Sequence, residues 1–267
     1  MTSFVVHHNG QDATAEQLAR VAFAGYAHFT ALQVRGGQLR ALDLHLERLR
    51  IASTELYGKA LPDEQVSSYL KAAVEAGPAD HSLVATVYSP AGEFTATGQG
   101  VAPEVLVRTG PPASGPEGPL ALQVFEHERM LPTIKHVGEI AKGYYLRQAV
   151  AQGFDDAAFM DRQGRLSEAS IWNLAFWDGT SVIWPQADML GGITMGIVRR
   201  QLDQLGIPQR TQEIRPADIA DLSGAVVMNS WTPAVPVRSI ASTPLPEAPE
   251  FTASLRKAYE AEPLTSL

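Results

Sequence analysis

The sequence predicts an α+β protein of two domains, and three observations predict it. Its 267 residues, 45% hydrophobic and 19% charged, are enough for well-buried cores. The run Gly110-Pro-Pro-Ala-Ser-Gly-Pro-Glu-Gly-Pro119 holds four prolines and three glycines in ten residues, which suits neither a helix nor a strand interior. It reads as a linker (110–119) between an N-terminal domain (1–109) and a C-terminal domain (120–267). Strands and helices mix before it, whereas after it one helix is followed by short strands with strong turn signals.

Ahead of the linker, Phe29 to Val34 and Leu39 to Leu42 read as strands joined at Gly36-Gly37. Asp43 is then expected to cap a helix that runs to Gly58, carries Arg48, and turns Leu46, Leu49, Ala52 and Leu56 inward. A second helix follows Pro62-Asp63, buries Val66, Leu70, Ala73 and Val74, and stops at Gly77. Leu83 to Tyr88 and Val105 to Val107 complete this domain as strands. Beyond the linker, Leu120 to Phe125 reads as a strand. Val137 to Gln152 reads as a helix with Val137, Ile140, Ala141, Tyr144 and Ala149 on its apolar face and Gly153 just past its end. A meander follows: Ala157 to Met160, a turn at Asp161-Arg-Gln-Gly164, Arg165 to Glu168, Asn173 to Trp177, the Asp178-Gly179 hairpin and Ser181 to Trp184. Gly191-Gly192 precedes a periodic helical segment, Val226 to Met228 and Val235 to Ile240 read as strands, and Phe251 to Glu260 as a helix.

Composition narrows the chemistry. Zero cysteines exclude disulfides and thiolate catalysis, and the seven histidines show no metal-ligand spacing, so no metal is expected. A formal charge of -8 argues against nonspecific binding to nucleic acid or anionic membranes. No apolar run approaches the roughly 20 residues of a bilayer span, and the N-terminus lacks the basic-then-apolar order of a signal peptide, so the expectation is a cytoplasmic protein.

Two isolated charges carry the functional reading. Lys135 lies between apolar neighbours in Leu131-Pro-Thr-Ile-Lys-His136, a setting that disfavours the ammonium and favours a nucleophilic amine. Some thirty residues later, alternation in Arg165-Leu-Ser-Glu168 points Glu168 to the same face as Leu166, where a carboxylate needs a positive partner. Taken singly, Lys135 reads as a snorkelling surface lysine and Glu168 as a strand-face charge. Their context reverses this. Ile134-Lys-His136, Gly153-Phe-Asp-Asp-Ala-Ala-Phe-Met-Asp-Arg-Gln-Gly164, Leu166-Ser-Glu168, Asn173-Leu174, Gly192-Ile-Thr194, Met228 to Val237 and His45-Leu-Glu-Arg-Leu49 stand in the order found in the class IV (fold-type IV) pyridoxal-phosphate enzymes. The chain resembles that family, which includes branched-chain aminotransferases, D-amino acid transaminases and aminodeoxychorismate lyases.

The resemblance implies a smaller N-terminal α/β sandwich, a larger β-barrel-like C-terminal domain with helices, and a homodimer. It implies pyridoxal 5′-phosphate as cofactor, with Lys135 forming the Schiff base and moving the proton, and Glu168 keeping the ring nitrogen protonated. Arg48, the Ile193-Thr194 helix start, Asn173, Ser230 and Trp231 complete the implied cofactor contacts. Substrate positions depart from the family. Gln33 stands where transaminases often have a cation, Thr30 and Ala31 replace neighbouring polar positions, Met195 follows Gly-Ile-Thr, and Glu139 and Ile140 occupy the region of a common tyrosine. Phe29, Ala31 and Gln33 are then the implied substrate-facing residues, with Arg35 or Arg129 as candidate replacement cations. Lys135-His136 resembles the lyase branch, although its Phe-Thr-Thr is Phe29-Thr30-Ala31 here. The expected reaction is transfer of an amino group from a small amino acid or amine to a 2-oxo acid. Its alternatives are 4-amino-4-deoxychorismate cleavage with pyruvate release, and cofactor binding without turnover.

Overall fold

The alternating apolar positions of the N-terminal half fold into one antiparallel sheet. A computed structural model describes residues 4–22, 24–92, 94 and 100–267. In chain order these form β1 (Val6–His8), β2 (Gln11–Asp12), α1 (Ala15–Ala22), β3 (Ala27–Val34), β4 (Leu39–Arg40), α2 (Leu42–Tyr57), α3 (Asp63–Ala76), β5 (His81–Tyr88) and β6 (Glu104–Gly110). The sheet order is β2-β1-β6-β5-β3. β3 keeps the two-residue period: Thr30, Leu32 and Val34 are buried, while Phe29, Ala31 and Gln33 lie half-exposed on the opposite face. Leu49 and Tyr57 of α2 and Leu70 and Ala73 of α3 join Leu32, Val34, Leu83 and Val107 in one core. Gly58 ends α2 at φ 69°, a left-handed conformation that glycine adopts without a Cβ penalty.

Chain clustering groups Met1–Ala113 with Ile134–Gly138 and Pro263–Leu267 as one unit, and Ser114–Thr133 with Glu139–Glu262 as the other. Two local expectations for the first unit are corrected. Asp43 lies inside the first turn of α2, whose N-cap is Ala41 in a left-handed conformation with no side-chain cap. β4 forms no ladder with β3. Only an Arg35–Gln38 bridge closes the Gly36-Gly37 turn, and β4 pairs instead with Leu264–Thr265.

The second unit contains β7 (Leu120–Glu126), α4 (Ile140–Ala151), β8 (Asp156–Met160), β9 (Leu166–Ala169), β10 (Asn173–Trp177), β11 (Val182–Pro185), α5 (Ile193–Gln204), β12 (Gln209–Gln212), β13 (Gly224–Met228), β14 (Val235–Ile240), β15 (Thr243–Pro244) and α6 (Pro249–Ala261). Strands β10-β13-β14-β7-β8-β9 return to β10 through the β9–β10 pairing, which closes a six-stranded barrel. Closure leaves these strands no free edge. Helix α4 is the crossover between the parallel pair β7 and β8. One core contains Leu122, Leu166, Leu174, Phe176 and Val227. A second joins Trp184 and Met228 to Val198 and Leu202 of α5 and Leu255 of α6.

α4 corrects the sequence reading. It starts at Ile140, so Val137 precedes it and donates its N–H to the Ala27 carbonyl. Its inward stripe is Lys142, Tyr145, Leu146 and Ala149, whereas Ile140 and Tyr144 are 87% and 58% exposed. The cause is a lysine on the inward face. Apolar periodicity locates a helix face by its aliphatic residues and is misled when a charged side chain takes a core-facing position. Among the described residues no helix is long and apolar enough to cross a membrane.

Candidate active site

In the first unit, Lys135 is held by its backbone. Phe29 donates its N–H to the Lys135 carbonyl at 2.8 Å, and His28 and His136 form a bridge, so the lysine segment lies along β3. The Lys135 Nζ sits 4.8 Å from the centroid of the Phe29 ring, within cation–π range. Phe29, Ala31 and Gln33 share the face of β3 that carries this contact. Thr30 does not: it is turned into the core, where its Oγ1 meets His45 Nδ1 at 2.7 Å. Burial pushes the His45 imidazole down to about 3, and the Arg48 cation one turn further along α2 pushes the same way. His45 is therefore a neutral hydrogen-bonding partner at physiological pH.

Gln33 and Arg35 are brought together. Arg35 donates to Gln33 Oε1 at 2.9 Å, to the Ala113 carbonyl at 3.0 Å and to the Val34 carbonyl at 2.8 Å. Gln33 Oε1 also accepts the Ala113 N–H at 3.1 Å, and its Nε2 donates to Ser82 Oγ at 3.0 Å. The pair fastens the 110–113 segment to β3.

In the second unit, strand register gathers four separate sequence motifs. Asn173 is the partner of Glu168 across β9–β10 and of Met228 across β10–β13. The Asn173 Nδ2 donates to the Leu190 carbonyl at 2.7 Å, and a Cβ on Gly192 would lie 1.9 Å from Asn173 Oδ1. Glycine is thus required for the close approach of β10 to the start of α5. Gly192 is the N-cap of α5 and has no side-chain cap, so Thr194 lies in the first turn. The Thr194 hydroxyl donates to the Asn229 carbonyl at 2.9 Å, and Asn229 Oδ1 accepts the Trp231 N–H at 2.9 Å. Ile193, Thr194, Asn229, Ser230 and Trp231 therefore converge at a helix N-terminus, where N–H groups and the helix dipole favour an anion.

Glu168 is buried beside two cations. Its Oε1 lies 3.3 Å from Lys142 Nζ and 3.7 Å from Arg129 Nη1, and Arg129 Nε lies 3.3 Å from Glu139 Oε1. Burial lowers the Lys142 pKa, Glu168 and Glu139 oppose that, and Arg129 adds to it. His127, which packs against Tyr145 and Phe159, is likewise lowered, chiefly by burial. Arg129, a candidate substrate cation by sequence, faces Glu139 and Glu168. Lys142 has no expected role by sequence. Its spacing of three from Tyr145 and seven from Ala149 puts it on their helix face, but nothing in the sequence marks a lysine there as pointing inward.

Such an arrangement suits a ligand with an anionic group and a protonated ring. The amino-transferase class IV family model matches residues 27–240, well over half of the chain. The chain belongs to the class IV aminotransferases, a family of pyridoxal-phosphate-dependent enzymes. Its fold is similar to that of the branched-chain aminotransferase of Thermoproteus uzoniensis, solved with norvaline (TM-score 0.85, 18% identity, 98% of this chain and 99% of that one). The Escherichia coli branched-chain aminotransferase is also similar (TM-score 0.83, 14% identity, 97% and 94%). So is a protein of Legionella pneumophila assigned as a 4-amino-4-deoxychorismate lyase (TM-score 0.80, 18% identity, 90% and 93%). No curated protein sequence matches the chain.

The residues present fit the cofactor. Glu168 Oε1 is buried and makes no well-formed hydrogen bond among the described residues, so it can accept one from a ring N–H. The open start of α5 can receive a phosphate, with which the Asn229 carbonyl competes for the Thr194 hydroxyl proton.

Proposed function

We propose that this enzyme is an aminotransferase that moves an amino group from a small amino acid or amine to a 2-oxo acid, with Lys135 as its catalytic amine. The observation that carries this reading is the Lys135–Phe29 arrangement: an amine fixed by its backbone to β3 and resting on an aromatic face beside Ala31 and Gln33. Pyridoxal phosphate, when bound, supplies an aldehyde that amines attack and a ring that accepts electrons. Lys135 would hold the cofactor through its amine and, once free, would serve as the base that moves a proton. Glu168 holds the proton on the ring nitrogen. Ile193, Thr194, Ser230 and Trp231 bind phosphate through N–H and hydroxyl groups, Arg48 adds a charge-assisted contact, and Asn173 fixes the start of α5.

Four features favour transfer over cleavage and a donor with little carboxylate requirement. Ala31 presents a methyl group on the Phe29 face, and the hydroxyl of that triplet, Thr30, is committed to His45. The lyase branch that the chain resembles has a second threonine in the place of Ala31. Arg35 spends both Nη groups on protein acceptors, and Arg129 faces two carboxylates, so neither stands ready as a carboxylate clamp. The working form is a homodimer in the cytoplasm, with a small-molecule amino donor and a 2-oxo acid as its partners.

Borohydride trapping of the loaded enzyme followed by peptide mapping tests the assignment, with the label expected on Lys135. A label on Lys142 or Lys59 would refute it. Lys135→Ala should lose the trapped adduct and about a thousandfold or more of the turnover. A panel of D- and L-amino acids, amines and aminodeoxychorismate, followed by cofactor absorbance and pyruvate release, separates transfer from cleavage. Pyruvate released from aminodeoxychorismate alone would mean a lyase.

A further inference from the structure

The Glu168 site contains a lysine for which the proposed chemistry has no use. Lys142 points from the inward face of α4 at Glu168 Oε1, 3.3 Å away, with its side chain 12% exposed. The groups around it are Glu168 on β9, Glu139 at the start of α4, and Arg129 and His127 on the segment between β7 and α4. Arg129 and Lys142 carry two positive charges, Glu139 and Glu168 two negative ones. With His127 neutral, the cluster is balanced before any ligand arrives.

That balance has a consequence for a ring N–H at Glu168. A protonated ring would add a positive charge to a buried set that already sums to zero, and an unpaired buried charge is costly. Arginine does not give up a proton in proteins, so Lys142 is the only cation of the set able to do so. Its ammonium also occupies the carboxylate oxygen that lacks a well-formed hydrogen bond.

We propose that Lys142 is a positioning residue that neutralises Glu168 in the empty enzyme and gives way to the ring nitrogen, passing from ammonium to neutral amine as the ring N–H takes its place. The change is a proton transfer only: one N–H bond of Lys142 breaks, and the proton goes to an unprotonated ring nitrogen or to solvent. Cofactor binding is therefore linked to the ionisation of Lys142, and the burial that already lowers its pKa makes the change easier. This inference rests on the reading of Glu168 as the ring-nitrogen partner.

The test follows Lys142 directly. The chain has five lysines, so enzyme with ¹³C at lysine Cε gives a resolvable set of signals that report whether each amine is charged. The Lys142 signal is identified by its loss in Lys142→Arg. The probe is 4-deoxypyridoxine 5′-phosphate, which has the ring nitrogen and the phosphate but no aldehyde, so Lys135 forms no bond to it. At pH 8, Lys142 should read as ammonium in the stripped enzyme and as neutral amine in the complex. Lys142→Arg, which keeps its charge, should bind the probe about tenfold or more weakly than the parent. A Lys142 signal that stays charged in the saturated complex, or is already neutral in the stripped enzyme, overturns the inference and leaves the cofactor reading standing. A parent that does not bind the probe, or a Glu168→Gln protein that binds it with the same change at Lys142, overturns the ring-nitrogen reading and this inference with it.

Discussion

In the first unit three buried histidines meet uncharged partners: His28 Nε2 reaches Ser53 Oγ at 2.9 Å, His45 Nδ1 reaches Thr30 Oγ1 at 2.7 Å, and His81 Nδ1 reaches the Pro78 carbonyl at 2.7 Å, whereas His7 Nε2 lies 3.4 Å from Asp12 Oδ1 at the sheet edge. In the second unit Arg129, Glu139, Lys142 and Glu168 are formally charged and only 3–15% exposed in their side chains. Each of these residues meets at least one partner, although His28 Nδ1, His81 Nε2 and Glu168 Oε1 make no well-formed hydrogen bond among the described residues. The two arrangements differ in what they can do. A neutral imidazole bonded to a hydroxyl fixes a helix to a strand and resists charging. A balanced set of charges can exchange one of its cations for a ligand's cation without leaving a net charge behind.

The largest effect should come from unbalancing the charged set. Glu168→Ala leaves Arg129 and Lys142 buried with Glu139 as their single carboxylate, and removing one partner from such a set costs about 3–5 kcal/mol. Denaturant unfolding checks this. Glu168→Gln keeps the shape, so most of the stability should survive while single-turnover reaction with the best donor slows about a hundredfold or more. If Glu168→Ala unfolds like the parent, the charges are solvated and the contrast between the units disappears.

Acid acts on the other side of the comparison. Burial pushes His28 and His45 down to about 3, against an ordinary value of 6.5. A histidine depressed in the folded state contributes stability that is present above 6.5 and is lost as pH falls from there toward about 3. Each should remove about 1.4 kcal/mol per pH unit within that window. Hydrogen exchange resolved along the chain should show the Ala27–Val34 strand and the Leu42–Tyr57 helix opening first as pH drops from 6 to 4, with His45→Gln roughly halving the slope. Equal protection at both pH values would show that these histidines already charge in the fold.

The sequence made local structure legible wherever a residue acts on its immediate neighbours. Gly153 at φ +86° sits just past α4 as expected, and Asp161 accepts the Gln163 and Arg165 N–H groups in the turn read from Asp161-Arg-Gln-Gly164. β10 and β14 match their expected bounds because Asn173 to Trp177 and Val235 to Ile240 are bracketed by turn residues. Order along the chain also disclosed the family, since its motifs are short and collinear. What stayed hidden depended on distance or on charge. Nothing near Leu39 announces a pairing with Thr265, and Thr30 gives no local sign that its hydroxyl belongs to His45. Lys142 was unreadable as an inward residue because its partner Glu168 lies on another element, and a lysine in a helix looks solvated until that partner is placed.

The smallest predicted effect uses α4 to test where the charged set ends. Ile140 is 87% exposed, and Ala149, two and a half turns along the same helix, is fully buried against Phe159 and Tyr145. Within one chain, Ile140→Ser removes an apolar side chain that water already covers, so unfolding stability should change by no more than about 0.5 kcal/mol. Ala149→Leu adds volume to a filled site and should cost about 1–3 kcal/mol. Denaturant melts of the two proteins at several concentrations measure both. A loss for Ile140→Ser well beyond that limit, growing as the protein is concentrated, would mean that a second copy of the chain covers Ile140 and that part of the stability assigned to the charged cluster belongs to the assembly. A loss that does not depend on concentration would instead mean that Ile140 is covered within the chain, and that the inward stripe of α4 is wider than Lys142, Tyr145, Leu146 and Ala149.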